Sequence, residues 1–484
     1  MNKKIFLLTI LSFFILDVCL ALPPATEIRA VWLTTNYGLD WPRNRVSEDA
    51  QKRELITILD NLQKHNFNTV LFQVRARGEV FYKSKIEPMS SIVVSKGFGE
   101  KSFDPLEFVI NESHKRGMQC HAWIVTYPLG LDKHVRRMGK KSIVAKDPSI
   151  VKKYKSEWYL DPGNPRTDDY LLSIVKEIVN NYDVDGIHFD YIRYPSNSGY
   201  FPDDAMYRRH GNGKNRADWR RDNITRFVSK AYSEIKKYKP WVQVSSAPLG
   251  RYKSLNDRGR GWTAYETVYQ DAGKWMKMGI HDALYPMMYY KNELFYPYVD
   301  NWKENCNGRI LVPGLGAYQM IELNWSNNDI TSQIDYSRNG SSNGQAYFRA
   351  ENVLSNTKGI LNSIEKYYKY PAKLPPMTWL SDTIPNRPFD LTAEKNGLGE
   401  IVLEWSSDST NKRVTYNIYR SLTDSVDVND ATTIMAVNIK QPNYKFTFDN
   451  NDSLYYYYIT VSDSFNNESE VSIPALFYHS DTIK

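Results

Sequence analysis

Between residues 28 and 370 the chain alternates, eight times over, a short run rich in β-branched and aromatic residues with a longer amphipathic stretch. The strand candidates are 28–35, 68–75, 119–125, 186–191, 242–247, 283–289, 310–315 and 345–348. The helical candidates between and after them are 47–65, 104–116, 168–181, 215–237, 264–278, 297–305, 327–337 and 350–368. Local signals support the helices. Ser47 stands as an N-cap before the stripe Leu55, Ile58, Leu59 and Leu62, and Asp104 precedes Pro105, a capping residue followed by a first-turn proline. Eight strand–helix units imply an α/β fold, a closed (β/α)8 TIM barrel. A doubly wound open sheet is the alternative, but no G-x-G-x-x-G follows the first strand.

The pattern breaks after residue 370. Segment 371–388 contains Pro371, Pro375, Pro376, Pro385 and Pro388 and reads as an extended linker. From 389 to 484 short β-runs follow (399–405, 415–420, 433–437, 444–448, 455–462 and 470–474), as in an all-β sandwich with Trp405, Tyr416 and Tyr419 in its core. Residues 455–463 with 467–469 resemble the later strands of fibronectin type III domains, which implies a spacer or adhesion module. The expected domains are thus a leader at 1–21, a barrel at 26–370, a linker at 371–388 and a sandwich at 389–484. The sandwich is expected to be dispensable for chemistry and to fold separately.

Lys3 and Lys4 precede the apolar run 5–16, and Ala21 offers a small residue for cleavage, so 1–21 reads as a signal peptide. Cys19 raises a lipid anchor as an alternative, which Asp17 and Val18 disfavour. The expectation is an exported protein of the periplasm or cell surface, without a membrane span and acting as a monomer. Cys120 and Cys306 remain after cleavage; Cys120, inside the apolar run 118–125, reads as a buried free thiol rather than half of a bridge, and no cysteine–histidine cluster has zinc spacing. A net charge of +7 with dispersed lysines argues against a nucleic-acid partner. The 35 Tyr and 12 Trp suit a protein that stacks sugar rings.

Residues 184–195 concentrate the chemistry. Strand alternation puts His188 and Asp190 on one face, and Asp190 falls at the C-terminal strand end, where a barrel builds its site. Other strand ends are also polar or aromatic: Trp32; Gln73 and Arg75; His121 and Trp123; Arg193 after the fourth; Tyr285 and Tyr289; Tyr318; Tyr347. These are the candidate substrate-binding residues, together with His188. Trp32, Trp123 and Tyr289 are expected to turn their rings toward one cleft. Cleaving a glycosidic bond usually takes two carboxyl groups. Asp190 is the first and Glu79, in the loop after the second strand, the preferred second; Asp40, Asp257, Glu293 and Glu322 compete for that role. A metal-dependent hydrolase or deacetylase would need His121, His188, Asp190 and His281 to converge, but the first strand lacks a His-x-His pair. No metal or organic cofactor is expected.

The runs 27–34 (Glu-Ile-Arg-Ala-Val-Trp-Leu-Thr), 68–75 (Asn-Thr-Val-Leu-Phe-Gln-Val-Arg), 121–123 (His-Ala-Trp), 159–165 (Tyr-Leu-Asp-Pro-Gly-Asn-Pro) and 185–191 (Asp-Gly-Ile-His-Phe-Asp-Tyr) resemble the successive motifs of bacterial glycosyl-hydrolase-like family 10 proteins. The resemblance implies a TIM barrel active on a glycan; some members act on peptidoglycan strands stripped of stem peptides. Two positions depart from many relatives. Tyr191 stands where they carry a second acid, and 125–128 runs Val-Thr-Tyr-Pro where they have Asn-Pro. The resulting expectation is an exported glycoside hydrolase acting on a cell-wall glycan or related polysaccharide through carboxylate acid–base catalysis. A non-catalytic glycan-binding or adhesion protein on a retired barrel is the alternative.

Overall fold

The computed structural model describes residues 23–43, 47–93, 103–196, 198–255, 261–408, 413–447 and 453–479. The leader at 1–21, Cys19 and Asp257 lie outside them. Eight parallel strands form the first sheet: β1 (Ile28–Leu33), β2 (Thr69–Ala76), β3 (Gln119–Val125), β4 (Gly186–Asp190), β5 (Gln243–Ser246), β6 (Ala283–Leu284), β7 (Ile310–Leu311, continued by Gly314–Leu315) and β8 (Gly344–Tyr347). Each follows its neighbour in space, and the two edges of the sheet are the two halves of β7: Ile310–Leu311 pairs with β6 and Gly314–Leu315 with β8. The sheet therefore closes on itself, a TIM barrel. Helices cover it, the longest being Glu48–Lys64, Pro165–Asn181 and Arg216–Tyr238. Ser47 and Asp104 cap their helices as expected, accepting from Ala50 N and from Leu106 N and Glu107 N.

Two expected helices are broken. Residues 264–278 divide into Ala264–Thr267 and Ala272–Lys277 around Tyr269 at φ 59°, and 350–368 divides at Asn356 and Lys358, both at positive φ. A small antiparallel sheet (Pro128–Leu131, Val151–Tyr154, Glu157–Leu160), not foreseen in the sequence, is inserted after β3.

Inside the barrel, alternate residues of each strand meet. Ala30, Trp32, Leu71, Trp123, Ala283, Tyr285, Val312 and Ala346 form one buried cluster. Bulky groups fit because glycines face them. A Cβ on Gly186 would stand 2.5 Å from His121 Nδ1, and one on Gly314 would stand 2.9 Å from the Trp32 ring.

The proline-rich segment is not a free spacer. Leu374 and Met377 are buried in that same cluster, at the N-terminal end of the strands, and Trp379 Nε1 donates to Asp282 Oδ1 at 3.0 Å. The apolar residues between the prolines thus stopper the base of the barrel.

Beyond it, β9 (Phe389–Lys395), β10 (Ile401–Ser406) and β13 (Asn443–Phe446) form a three-stranded sheet, and β12 (Ile434–Ile439), β11 (Thr415–Ser421), β14 (Ser453–Ser462) and β15 (Ala475–His479) a four-stranded one. Three antiparallel strands in one sheet and four in the other make this region all-β, as expected. Its last strand lies at Ala475–His479 rather than 470–474, and β9 was not foreseen because its outer residues are exposed. Trp405 and Tyr416 meet in the core with ring centroids 5.1 Å apart, while Tyr419 packs with Ala25 and Ala431 on another cluster. The sandwich is docked under the barrel. Lys373 Nζ reaches Glu468 Oε2 at 2.6 Å, Arg413 pairs with Asp183 and Asp185, and Lys440 Nζ lies 2.8 Å from His114 Nδ1. Both Cys120 and Cys306 are free and buried. Among the described residues no helix is long and apolar enough to cross a membrane.

Candidate active site

The C-terminal ends of the strands open into a cleft of about 460 Å³. Trp32, Thr34, Gln73, Trp123, Asp190 and Ala247 contribute from β1 to β5 and the residues that follow them, with Met287, Tyr289, Tyr318, Phe348 and Arg349 from the far side. Asp190 is 5% exposed. Its Oδ2 accepts from Trp123 Nε1 at 3.1 Å and its Oδ1 from the Tyr191 backbone N–H at 2.6 Å. Burial raises its pKa above the ordinary carboxylate value; the Arg193 charge and these two hydrogen bonds oppose that rise without cancelling it.

Below Asp190, His188 is locked in one tautomer. Trp32 Nε1 can only donate, so His188 Nε2 accepts from it at 3.1 Å, leaving Nδ1–H to donate to Ser245 Oγ at 2.9 Å. Burial holds this imidazole well below its usual pKa, in keeping with a neutral ring. His121 lies deeper, its Nε2 beside Gln119 Oε1 at 3.0 Å and its pKa lowered by burial to about 4. Tyr285 is also inside, its hydroxyl directed at Gln243 Oε1 over 3.4 Å. His281 lies at the base beside Asp282, away from the rim where Asp190 sits. Among the described residues no three His, Cys, Asp or Glu side chains are grouped to hold a metal ion.

Trp32 and Trp123 line the floor of the cleft, but at 1% and 3% exposure their rings are packed, not offered as open platforms. The open aromatic wall is Tyr289, Tyr318 and Phe348, with ring centroids between 5.4 and 5.7 Å apart. Phe348 was not singled out in the sequence. The inward positions of β8 and its continuation are Gly344, Ala346 and Phe348, so Tyr347 points the other way, its hydroxyl 3.0 Å from that of Tyr368. A shift of one residue exchanges the faces of a strand.

Gln73 works on the backbone: its Oε1 accepts from Thr35 N at 3.0 Å and Asn36 N at 2.8 Å, fixing the loop after β1. Arg75 is turned out of the cleft. A bulge between Gln73 and Arg75 lets β2 gain a residue on β3, so Gln73 pairs with Trp123 but Arg75 with the outward Ile124. Its guanidinium then forks onto Glu87 at 2.7 Å through both Nε and Nη2. Arg193 stacks over the Tyr191 ring at 4.4 Å.

The structure puts Glu79 away from the cleft, on the short strand Glu79–Val80. Arg137 Nη2 contacts both its oxygens at 3.2 Å and Ser90 Oγ donates to it at 3.2 Å. Asp40 is buried behind the wall, accepting from Thr34 N at 2.8 Å and paired with Arg349. Glu293 is exposed and outside the cleft lining. Among the described residues, the carboxylates that line the cleft are Asp190 and Glu322, the latter exposed at the end of the short helix Gln319–Glu322.

A family model for glycosyl hydrolase-like 10 matches residues 27–305. Glycosyl hydrolase YngK of Bacillus subtilis (strain 168) is 30% identical over 476 residues, covering 92% of this chain and 92% of that protein. Glycosyl hydrolase DigH of Escherichia coli (strain K12) is 34% identical over 300 residues, covering 55% of this chain and 68% of the relative. Among solved structures, α-L-fucosidase isoenzyme 2 from Paenibacillus thiaminolyticus is similar at a TM-score of 0.49 and 13% identity, over 75% of this chain and 52% of that one. The family match spans more than half the chain and the Bacillus relative nearly all of it: this chain belongs to the glycosyl hydrolase-like 10 family and is an enzyme of the glycoside hydrolase type.

Proposed function

We propose that the protein is an exported glycosidase that cleaves the glycan of the bacterial cell wall, with Asp190 as general acid and Glu322 as the second carboxylate. The observation that carries this reading is the presence in one cleft of a buried carboxyl, Asp190, and an exposed one, Glu322, burial raising the pKa of the first. A buried carboxyl that holds its proton more firmly is suited to give it to the departing glycosidic oxygen, and a second, solvent-facing carboxyl in the cleft is placed to attack the sugar or activate water. As the proton leaves, Trp123 Nε1–H and the Tyr191 N–H are already aimed at the new carboxylate, so its charge forms against preset donors. Tyr289, Tyr318 and Phe348 supply flat apolar surface for sugar faces. Export rests on the leader pattern at 1–21, and the peptidoglycan substrate on the family resemblance of runs such as 159–165 and 185–191.

The test is incubation of the purified protein with peptidoglycan, amidase-stripped glycan strands and a polysaccharide panel, with mass analysis of the products. The wild type should release shortened glycans, and Asp190→Asn should bind them without turnover. Binding without products from the wild type as well would replace the glycosidase by a glycan-binding protein.

A further inference from the structure

Six described residues other than Gly, Asn and Asp hold a left-handed backbone: Tyr37, Arg77, Lys155, Tyr191, Tyr269 and Lys358. That conformation is unfavourable for bulky L-residues. Three of the six follow barrel strands at the mouth of the cleft. Tyr37 (φ 57°) comes after β1 between the lining residues Asn36 and Leu39; Arg77 (φ 58°) and Tyr191 (φ 49°), after β2 and β4, line the cleft themselves.

Their backbones would be eased by other residues. Arg77 and Gly78 are the two central residues of the turn joining β2 to Glu79–Val80, both at positive φ, a position that favours Asn before Gly. Tyr37 and Tyr191 remain 60% and 40% exposed, so neither strained backbone serves to bury its ring. Arg193 covers the Tyr191 ring at 4.4 Å, which stiffens it at the edge of the cleft. Arg77 Nη1 is steadied by Glu157 Oε1 at 2.9 Å. Backbone strain of this kind clusters at active sites and ligand clamps, where the side chains it holds touch what is bound.

We propose that Tyr37, Arg77 and Tyr191 form a binding surface for a glycan chain longer than the cleft, the two rings stacking on sugar faces and the guanidinium bonding to sugar oxygens. This rests on the glycosidase reading and names its substrate as an oligomer or polymer. Tyr191, next in the chain to Asp190, becomes a specificity residue on this reading.

The test compares Tyr37→Gly, Arg77→Asn, Tyr191→Gly and Tyr191→Phe with the wild type on amidase-stripped peptidoglycan strands, on their disaccharide unit, and on any panel polysaccharide that the wild type binds. The first three variants should melt no lower than the alanine variant at the same position, yet bind long strands roughly tenfold more weakly. Their affinity for the disaccharide should stay near the wild-type value, and Tyr191→Phe should keep the long-strand affinity. Unchanged long-strand affinity in the three variants, an equal loss for disaccharide and strand, or a Tyr191→Phe variant as weak as Tyr191→Gly overturns the inference alone. A wild type that binds no glycan overturns the glycosidase reading and this inference with it.

Discussion

The indole of Trp123, at the end of β3, donates to Asp190 Oδ2 over 3.1 Å, so neighbouring strands hold donor and acid in fixed register. The bond favours the ionised acid and opposes the effect of burial. Trp123→Phe keeps the ring and removes the donor. The Asp190 pKa then rises, and because a general acid must be protonated, the alkaline limb of kcat/KM moves to higher pH. Losing a hydrogen bond to a developing charge should also lower kcat roughly 10- to 100-fold. Arg193→Gln should move the same limb in the same direction. A pH–rate profile of both variants checks this.

Glu322 and Glu79 separate cleanly by substitution. Glu322→Gln should lower kcat by about 10²- to 10⁴-fold with little change in melting temperature, since the side chain is exposed. Glu79→Gln should spare kcat and lower the melting temperature, because it leaves Arg137 and Ser90 facing a neutral amide. Parallel kinetics and calorimetry decide between them.

Met377 is more deeply buried than Leu374, and Met377→Ala should cost about 2–5 kcal/mol of stability. Chemical denaturation measures it. Cutting the chain before 371 should therefore destabilise the barrel more than cutting after 381, although both remove the sandwich.

Asp185, at the base of the barrel, accepts from His114 Nε2 at 2.7 Å and Cys120 N at 2.8 Å, with Arg413 Nη2 at 3.2 Å. Burial alone would raise its pKa, but His114 and the Cys120 N–H outweigh it and hold the carboxyl below its ordinary value. A depressed carboxylate adds stability above its unfolded pKa, and that stability is lost as pH falls through the folded one. Asp185→Asn should thus lower the melting temperature most near neutral pH. The gap to the wild type should narrow as the solution is acidified below the carboxylate range. Melting curves across pH test the sign.

The barrel was legible because its signal is repeated: all eight strands sit at the positions that periodicity marks. The place of Asp190 in the cleft was legible because strand alternation and strand end agree on it. What stayed hidden depends on small offsets. One bulged residue in β2 turns Arg75 outward, and one residue of parity in β8 replaces Tyr347 by Phe348 at the cleft. Glu79 and Glu322 are both acids in segments after strands, and only the hairpin that pairs Glu79–Val80 back onto β2 takes the first away. The prolines of 371–388 marked a boundary, but Leu374 and Met377 among them are buried against the barrel by contacts no local pattern encodes.

Leu374 and Met377 come after the last barrel strand in the chain, which gives assembly a direction. All eight strands are synthesised before the residues that cork them, so the floor of the barrel is left uncovered until Leu374 and Met377 arrive. A nascent chain halted near residue 370 would hold every group of the cleft yet leave an apolar well open to water and to other chains. Completion of the enzyme is therefore timed from the end opposite its chemistry.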